Sequence, residues 1–221
     1  SVVATKAFDE TVDVDELMQD TEKNLFELSQ KNMKQDYSHV EPVVNEAIRI
    51  LQKAAENKGE LTGIPTGYAK LDDMTAGWQA SDLVIIAGRP AMGKTSFALS
   101  LAKNIAVDYQ RPIAFFSLEM NNVQLANRLM SNVCEIEGKK ILNGQLDAEE
   151  WKRLDANVGR LANSPIYVDD TPAMSIFELR TKARRLVREK NVQVIMIDYL
   201  QLMNANGARF GSRQEEVSTI S

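Results

Sequence analysis

The sequence predicts an α/β protein with a mainly parallel sheet, preceded by a helical segment. Two observations support this prediction. From Ile64 onward, short apolar runs alternate with stretches of helical period, as in proteins built from strand–helix–strand units. A glycine-rich loop, residues 88–95, connects the first apolar run to the next helical stretch, where such loops occur in this fold class.

Composition limits the kind of protein this is. The 221 residues are enough for one domain with an appendage. Lysine and arginine total 26 and aspartate and glutamate total 31, so the net charge is −5. A protein with this net negative charge is not expected to bind nucleic acid over its whole surface by electrostatic attraction. Any contact with nucleic acid must be local or must come from assembly of several chains. With one cysteine and one histidine, structural zinc and an intrachain disulfide are not expected.

No apolar run approaches the length of a membrane span, and the run at residues 83–87 lies between Asp82 and Arg89. Together with the single cysteine, this predicts a cytoplasmic protein that makes no membrane contact. The sequence starts at Ser1 without a methionine and stops within a helical pattern, so we expect a fragment of a longer protein.

Residues 1–60 are predicted to be helical. A first helix begins at a cap on Asp13 or Asp15 and carries Leu17, Leu25 and Leu28 near helical spacing. No element nearby in sequence can cover this apolar stripe. Docking on another subunit and folding back on its own domain are therefore equally open.

A second helix is predicted from Pro42, which suits a first helical turn, to a stop before Gly59. The residue pattern changes near Gly63, from polar stretches with helical periods to alternating strand and helix patterns. We therefore assign residues 1–60 to a helical linker or subunit-docking segment, and residues 61–221 to an α/β domain.

The α/β domain is predicted from alternating elements. Apolar runs predict buried strands at residues 83–87, 113–117, 166–168 and 192–197. Helical periods predict helices at residues 95–107, 123–133, 148–161 and 176–189. Asp147 and Ser175, the latter with Glu178, are expected to cap the last two helices. Strands joined in this way form a parallel sheet with helices on both faces.

The strongest chemical signal is the segment GRPAMGKT at residues 88–95, a complete phosphate-binding loop between a strand and a helix. Its glycines let backbone amides point at phosphate oxygens, and the helix adds its positive end. Lys94 is expected to reach the β and γ phosphates, and Thr95 to offer a hydroxyl to Mg²⁺. The candidate nucleotide-binding residues are Gly88, Arg89, Pro90, Ala91, Met92, Gly93, Lys94, Thr95 and Ser96.

Two carboxylates are predicted at the carboxyl ends of strands, where ligand crevices open in such sheets. Asp198 follows the apolar run at residues 194–197 and is the candidate ligand for Mg²⁺, although such a residue can also be a simple loop cap. Glu119 follows the strand at residues 113–117 and is the candidate general base that polarises the attacking water. Its alternative is a surface glutamate before the next helix.

Four motifs, in this order, closely resemble those of the DnaB family of bacterial replicative DNA helicases. They are GIPTG at residues 63–67 with LD at 71–72, DLVIIAGRPAMGKT at 82–95, FSLEM at 116–120 and IDYLQL at 197–202. The resemblance spans residues 61–221 and implies the amino-terminal part of a RecA-like ATPase domain. It also implies the roles given to Lys94, Thr95, Glu119 and Asp198, and a linker helix at residues 13–32.

As implied by the resemblance, the protein is an ATP-driven helicase motor that forms a hexameric ring and translocates on single-stranded DNA to unwind the duplex at the replication fork. Primase and a helicase loader are the further partners that it implies. The family's sensor residue, trans-acting arginine finger and most DNA-contacting loops follow the region that corresponds to Ser221. Since an arginine finger contributes about 10³- to 10⁵-fold in turnover, we expect this chain alone to hydrolyse ATP poorly.

Other functions remain open from the residues themselves. A RecA-like recombinase or circadian-type ATPase would share the nucleotide site, and no substrate motif supports a small-molecule kinase. A non-catalytic assembly module would instead lose self-association, but not nucleotide affinity, when residues 1–32 are removed.

Two further features of the sequence are open to more than one interpretation. The basic cluster at residues 180–190 is more typical of a solvated helix face or a subunit contact than of a DNA contact. The segment at residues 204–214 suits either a channel loop or a linker.

Overall fold

A computed structural model of the chain describes residues 23, 39–56, 61–89 and 91–203. The described residues belong to two compact units, one that contains residues 39–56 and one that contains residues 61–203. Apart from residue 23, the first predicted helix lies outside the described residues, as do Pro90 and the segment at residues 204–214. The domain boundary after residue 60 stays a prediction.

The first unit contains the helix α1, Val40–Glu56, which confirms the second predicted helix. Glu46 and Arg49 form an ion pair on its surface at 2.8 Å. Val40, Val44, Ile48 and Leu51 follow one another at helical spacing, and their exposed fractions range from 45% to 68%. α1 therefore has an exposed apolar stripe.

The second unit alternates helices and strands. In chain order it contains α2 (Ala69–Thr75), α3 (Lys94–Lys103), a π-helical turn (Asn104–Asp108), β1 (Ile113–Ser117), α4 (Asn122–Cys134), α5 (Gly138–Asn143), α6 (Ala148–Ala162), β2 (Ile166–Asp169), α7 (Ile176–Lys190), β3 (Val194–Asp198) and a 3₁₀ turn (Leu200–Leu202). The predicted strands and helices after the glycine-rich loop are confirmed within about two residues at each end, where the helix predicted at residues 95–107 corresponds to α3 together with the π-helical turn. The short helices α2 and α5 were not predicted, since neither is long enough to show a helical period.

The predicted helix caps are present. The Asp147 carboxylate accepts from the amide of Glu150 at the start of α6, and Glu150 returns a bond to the Asp147 amide. The Ser175 hydroxyl accepts from the amide of Glu178 at the start of α7. Each cap satisfies an amide that the first turn of a helix leaves unpaired.

The three strands form a parallel sheet, as predicted. Their order in the sheet is β2-β1-β3. β1 is the central strand, and Ile113 pairs with Ile166 on one side and with Val194 on the other. At the far end of the sheet, Ser117 pairs with Asp198. The carboxyl ends of β1 and β3 therefore lie at the same edge.

Helices cover both faces of the sheet. Phe115 of β1 packs in one cluster with Leu101 of α3 and Leu125 of α4. Phe116, the next residue of β1, lies in a second cluster with Leu179 of α7. All five residues of β1 are buried, which is why its sequence reads as a continuous apolar run rather than an alternating one.

The predicted buried strand at residues 83–87 is wrong. This segment has no regular structure and pairs with no described strand. Leu83 and Ile85 are 83% and 79% exposed. β1 pairs with β2 and β3, and among the described residues no strand pairs with this run, so its backbone groups gain no hydrogen bonds from the sheet.

The segment before it, residues 62–79, packs on α3 and the turn that follows. The Asn104 side-chain amide donates to the carbonyl of Thr66 at 3.0 Å, and the rings of Tyr68 and Phe97 lie 5.3 Å apart. These contacts tie the start of the second unit to the helix that follows the glycine-rich loop. No described helix has the length and apolar content needed to span a membrane.

Candidate nucleotide-binding site

The glycine-rich loop leads directly into α3. Gly93 has a φ of +86°, a left-handed conformation that glycine adopts without strain, and its carbonyl accepts from the amide of Phe97 at 2.9 Å. A Cβ at Gly93 would meet no atom within 4 Å, so space is open on that side of the loop. The amides of the first turn of α3 have no partner within the helix and carry its positive dipole end.

The Lys94 side chain lies inside the loop. Its Nζ donates to the carbonyl oxygens of Gly88 at 2.9 Å and Arg89 at 3.3 Å. Among the described residues no carboxylate lies within ion-pair distance of this ammonium group. Its positive charge is therefore available to an anion that enters the loop.

The next two residues lie on the first turn of α3. Thr95 is half-buried and Ser96 is exposed. The Ser96 carbonyl accepts from the Ser100 hydroxyl at 3.0 Å, and that hydroxyl accepts from the Asn132 side-chain amide at 2.8 Å. This chain of bonds connects the first turn of α3 to α4.

Asp198 and Glu119 lie at the ends of adjacent strands, where the sequence places them. Asp198 is the last residue of β3 and is 9% exposed. Its carbonyl accepts from the amide of Leu118 at 2.8 Å, one residue before Glu119. Glu119 is exposed, on a bend that follows β1. The sheet therefore brings the two carboxyl-bearing segments together at one edge.

The side-chain oxygen atoms of Thr95 and Asp198 are of a type that can bind a magnesium ion. Among the described residues, no group of three or more histidine, cysteine or acidic side chains forms a metal cluster. Mg²⁺ bound with a nucleotide needs few protein ligands, because phosphate oxygens and waters fill most of its six positions. The hydroxyl of Thr95 and the carboxylate of Asp198 are oxygen donors of the type that Mg²⁺ prefers, and they fit this chemistry.

At the end of β2 the structure shows an ion-pair cluster that was not predicted. The Lys182 ammonium lies 2.9 Å from Asp169, 2.8 Å from Glu178 and 2.8 Å from the Thr171 hydroxyl. Burial raises the pKa of Asp169, but the hydrogen bonds from Thr171 and Lys182 outweigh it and leave the pKa lowered. Lys182 was predicted as part of a basic helix face. The spacing from Glu178 to Lys182 could have indicated their pairing, but contact with Asp169 requires the fold.

A second residue that sequence reasoning missed is Ser117, at the end of β1. Its hydroxyl donates to the carbonyl of Met120 at 2.7 Å and accepts from the amide of Met120 at 3.1 Å. A serine at the end of an apolar strand gives no signal of this contact, since many such residues are simply exposed.

Comparison with known proteins shows the family to which the chain is related. Residues 63–221 match the model of the DnaB-like helicase C-terminal domain. Replicative DNA helicase DnaC of Bacillus subtilis is 38% identical over all 221 residues, which correspond to 49% of its length. Replicative DNA helicase DnaB of Geobacillus stearothermophilus is 37% identical over 99% of this chain and 48% of its own length. The chain thus spans about half the length of the curated relatives that it matches.

Solved structures show the same fold. A solved ATPase domain has a TM-score of 0.74 and 32% identity over 84% of this chain and 65% of its own. A DnaB-like replicative helicase, described with its interactions with primase, has a TM-score of 0.69 and 31% identity over 93% of this chain and 52% of its own. These matches confirm the predicted RecA-like α/β fold. The chain belongs to the family of DnaB-like helicase C-terminal domains.

Proposed function

We propose that the protein is the ATP-driven motor of a replicative DNA helicase, which binds and hydrolyses Mg-ATP to translocate on single-stranded DNA and unwind the duplex at the replication fork. One observation supports this most directly. The Lys94 ammonium lies within a glycine-rich loop at the start of α3, with neutral carbonyls of Gly88 and Arg89 as its partners. The family membership and the names of the relatives support the same function.

The loop residues and Ser96 would bind the phosphates through backbone amides, and Lys94 would exchange its loop carbonyls for phosphate oxygens. Thr95 and Asp198 would hold Mg²⁺. When bound, the ion neutralises charge on the β and γ phosphates. The low exposure of Asp198 would keep its carboxylate oxygens in one orientation toward that position.

Glu119 would act as the general base. Its carboxylate accepts a proton from the water whose oxygen attacks the γ phosphorus, while the bond to the bridging oxygen breaks and ADP leaves. The exposure of Glu119 and its place beside the end of β3 support this role, because a base must reach both solvent and the phosphates.

Assembly and partners follow as part of the proposal. A hexameric ring would collect the local DNA contacts that a chain of net charge −5 cannot supply alone. Single-stranded DNA, primase and a helicase loader are the proposed partners, and the solved helicase described with primase supports the second of these. The proposed location is the cytoplasm.

Sedimentation velocity with a fluorescent ATP analogue and Mg²⁺ tests nucleotide binding and assembly in one run. We expect label to co-sediment with the wild type and with Lys139→Ala, which removes an exposed lysine of α5. Lys94→Ala should lose the label. Binding that is equal in all three proteins would contradict the proposed role of Lys94 and the nucleotide site with it.

The exposed apolar stripe of α1 favours a second candidate, a non-catalytic assembly module. The same run distinguishes the two. Assembly without bound label would support the module, whereas label on an assembled species would support the motor.

A further inference from the structure

Ser117 lies at the junction between β1 and the bend that carries Glu119. It is the last residue of β1 and is 2% exposed. Its hydroxyl binds both the carbonyl and the amide of Met120, at 2.7 Å and 3.1 Å. One buried hydroxyl therefore closes the bend between Ser117 and Met120, and Glu119 lies within it.

The same bend is attached to β3. Ser117 pairs with Asp198 in the sheet register, and the amide of Leu118 donates to the Asp198 carbonyl at 2.8 Å. The start of the bend is thus fixed relative to the proposed magnesium ligand. Any shift of the bend would change the position of Glu119 with respect to Asp198.

The far side of the bend is also fixed. The Asn121 side chain caps α4 by accepting from the amide of Gln124 at 2.9 Å. Asn122 donates its amide and side chain to the Asp170 carboxylate at 2.8 Å and 2.9 Å. These contacts hold the first residues of α4, while the Ser117 hydroxyl spans the bend itself.

The Glu119 carboxylate has no comparable support of its own. Among the described residues, no hydrogen bond or ion pair holds this side chain, which is exposed. Its location therefore depends on the backbone of the bend. The backbone of the bend depends in turn on the Ser117 hydroxyl.

We propose that Ser117 is a positioning residue for hydrolysis, which holds the Glu119 bend at the distance from Asp198 that the attack of water requires. This inference rests on the proposed function. Removing the hydroxyl leaves the Met120 amide unpaired and frees the bend, while the glycine-rich loop is untouched. The rate of hydrolysis should therefore fall, whereas the affinity for ATP should not change.

Single-turnover hydrolysis of radiolabelled ATP, with ATP affinity measured separately, tests this. We expect Ser117→Ala to lower the hydrolysis rate by about 10- to 100-fold, because small displacements of a catalytic group have effects of this size. The affinity of Ser117→Ala for ATP should stay within about twofold of the wild-type affinity. Ser117→Thr, which keeps the hydroxyl, should restore most of the rate.

Ser164→Ala is the matched control. The Ser164 hydroxyl donates to the Leu161 carbonyl at 2.6 Å, close to the length of the Ser117 bond, but it lies before the start of β2, at the opposite end of the sheet. Ser164→Ala should leave the hydrolysis rate unchanged, and thermal unfolding of every variant would show that each is folded.

Three results would overturn the inference. One is a Ser117→Ala rate equal to that of the wild type, and another is an equal loss in Ser164→Ala. A third is a loss of ATP affinity that accounts for the whole effect of Ser117→Ala. A wild type that does not bind ATP would overturn the proposed function itself, whereas equal rates in the wild type and Ser117→Ala with ATP binding intact would overturn this inference alone.

Discussion

The carboxylate of Asp72 accepts two hydrogen bonds from Thr66, one from its amide at 2.8 Å and one from its hydroxyl at 2.7 Å. A third bond comes from the amide of Gly67 at 3.1 Å. Asp72 and Thr66 are 6% and 0% exposed, so these bonds are made away from water. The carbonyl of Thr66 in turn accepts from Asn104, which connects this cluster to the turn after α3.

Asp72→Ala should therefore destabilise the second unit strongly. The substitution leaves two amides and a hydroxyl without their acceptor, which should lower the free energy of unfolding by about 2 to 4 kcal/mol. Asp73→Ala, at the exposed neighbouring position, should change it by less than about 0.5 kcal/mol. Urea unfolding followed by circular dichroism measures both, and equal effects would contradict the buried role of Asp72.

Phe116→Ala tests the core on the α7 face of the sheet. Phe116 is 0% exposed and packs with Leu179. Removing its ring should cost about 3 to 5 kcal/mol of unfolding free energy, through lost burial and the cavity that remains. Leu142→Ala, at a position that is 68% exposed, is the control and should cost little. A Phe116→Ala loss below that of the control would show that this face is not packed as described.

Glu150 provides a prediction about pH. Its carboxylate accepts from the Lys140 ammonium at 2.7 Å, and this bond, together with the amide of Asp147, lowers its pKa below the ordinary value of 4.5. A lowered folded-state pKa means that Glu150 stabilises the fold above pH 4.5, and that this contribution is lost as the pH falls through the folded-state pKa. Wild type and Glu150→Gln should differ most in thermal unfolding near neutral pH.

The difference between the two proteins should shrink as the pH falls below 4.5, since the wild-type carboxylate then becomes protonated and resembles the amide. Thermal unfolding at a series of pH values from neutral to acidic measures this. A difference that stayed constant across the series would show that Glu150 contributes through packing rather than charge.

Asp198→Asn tests the proposed magnesium site separately from the phosphate loop. The substitution keeps the shape of a side chain that is 9% exposed but removes its charge. The gain in ATP affinity on adding Mg²⁺ should fall by at least about tenfold, while affinity in a chelator should be unchanged. Asp155→Asn, at an exposed position of α6, should behave as the wild type in titrations with and without Mg²⁺. An unchanged Mg²⁺ effect in Asp198→Asn would refute the ligand role.

Local sequence patterns were enough to predict the strands and the long helices from α3 to β3, but not the six-residue helix α5. Residues 113–117 are predicted as a strand with the bounds that the structure shows, because a fully buried strand is apolar at nearly every position. The caps at Asp147 and Ser175 were equally predictable, since each bonds an amide three residues later in the chain. The glycine-rich loop and the positions of Glu119 and Asp198 at strand ends also follow from local patterns, whereas their chemical roles stay predictions.

Which of these segments meet depends on the three-dimensional packing of the chain. The apolar run at residues 83–87 was expected to be a buried strand and is exposed, because burial depends on a neighbouring strand that local hydrophobicity does not specify. The bonds of Ser117, and those that join Lys182 to Asp169, likewise depend on which strand ends and helices lie side by side. Local patterns report the preferences of a segment, but hydrogen bonds between distant residues form only where the register of the sheet and the packing of helices bring donor and acceptor within about 3 Å.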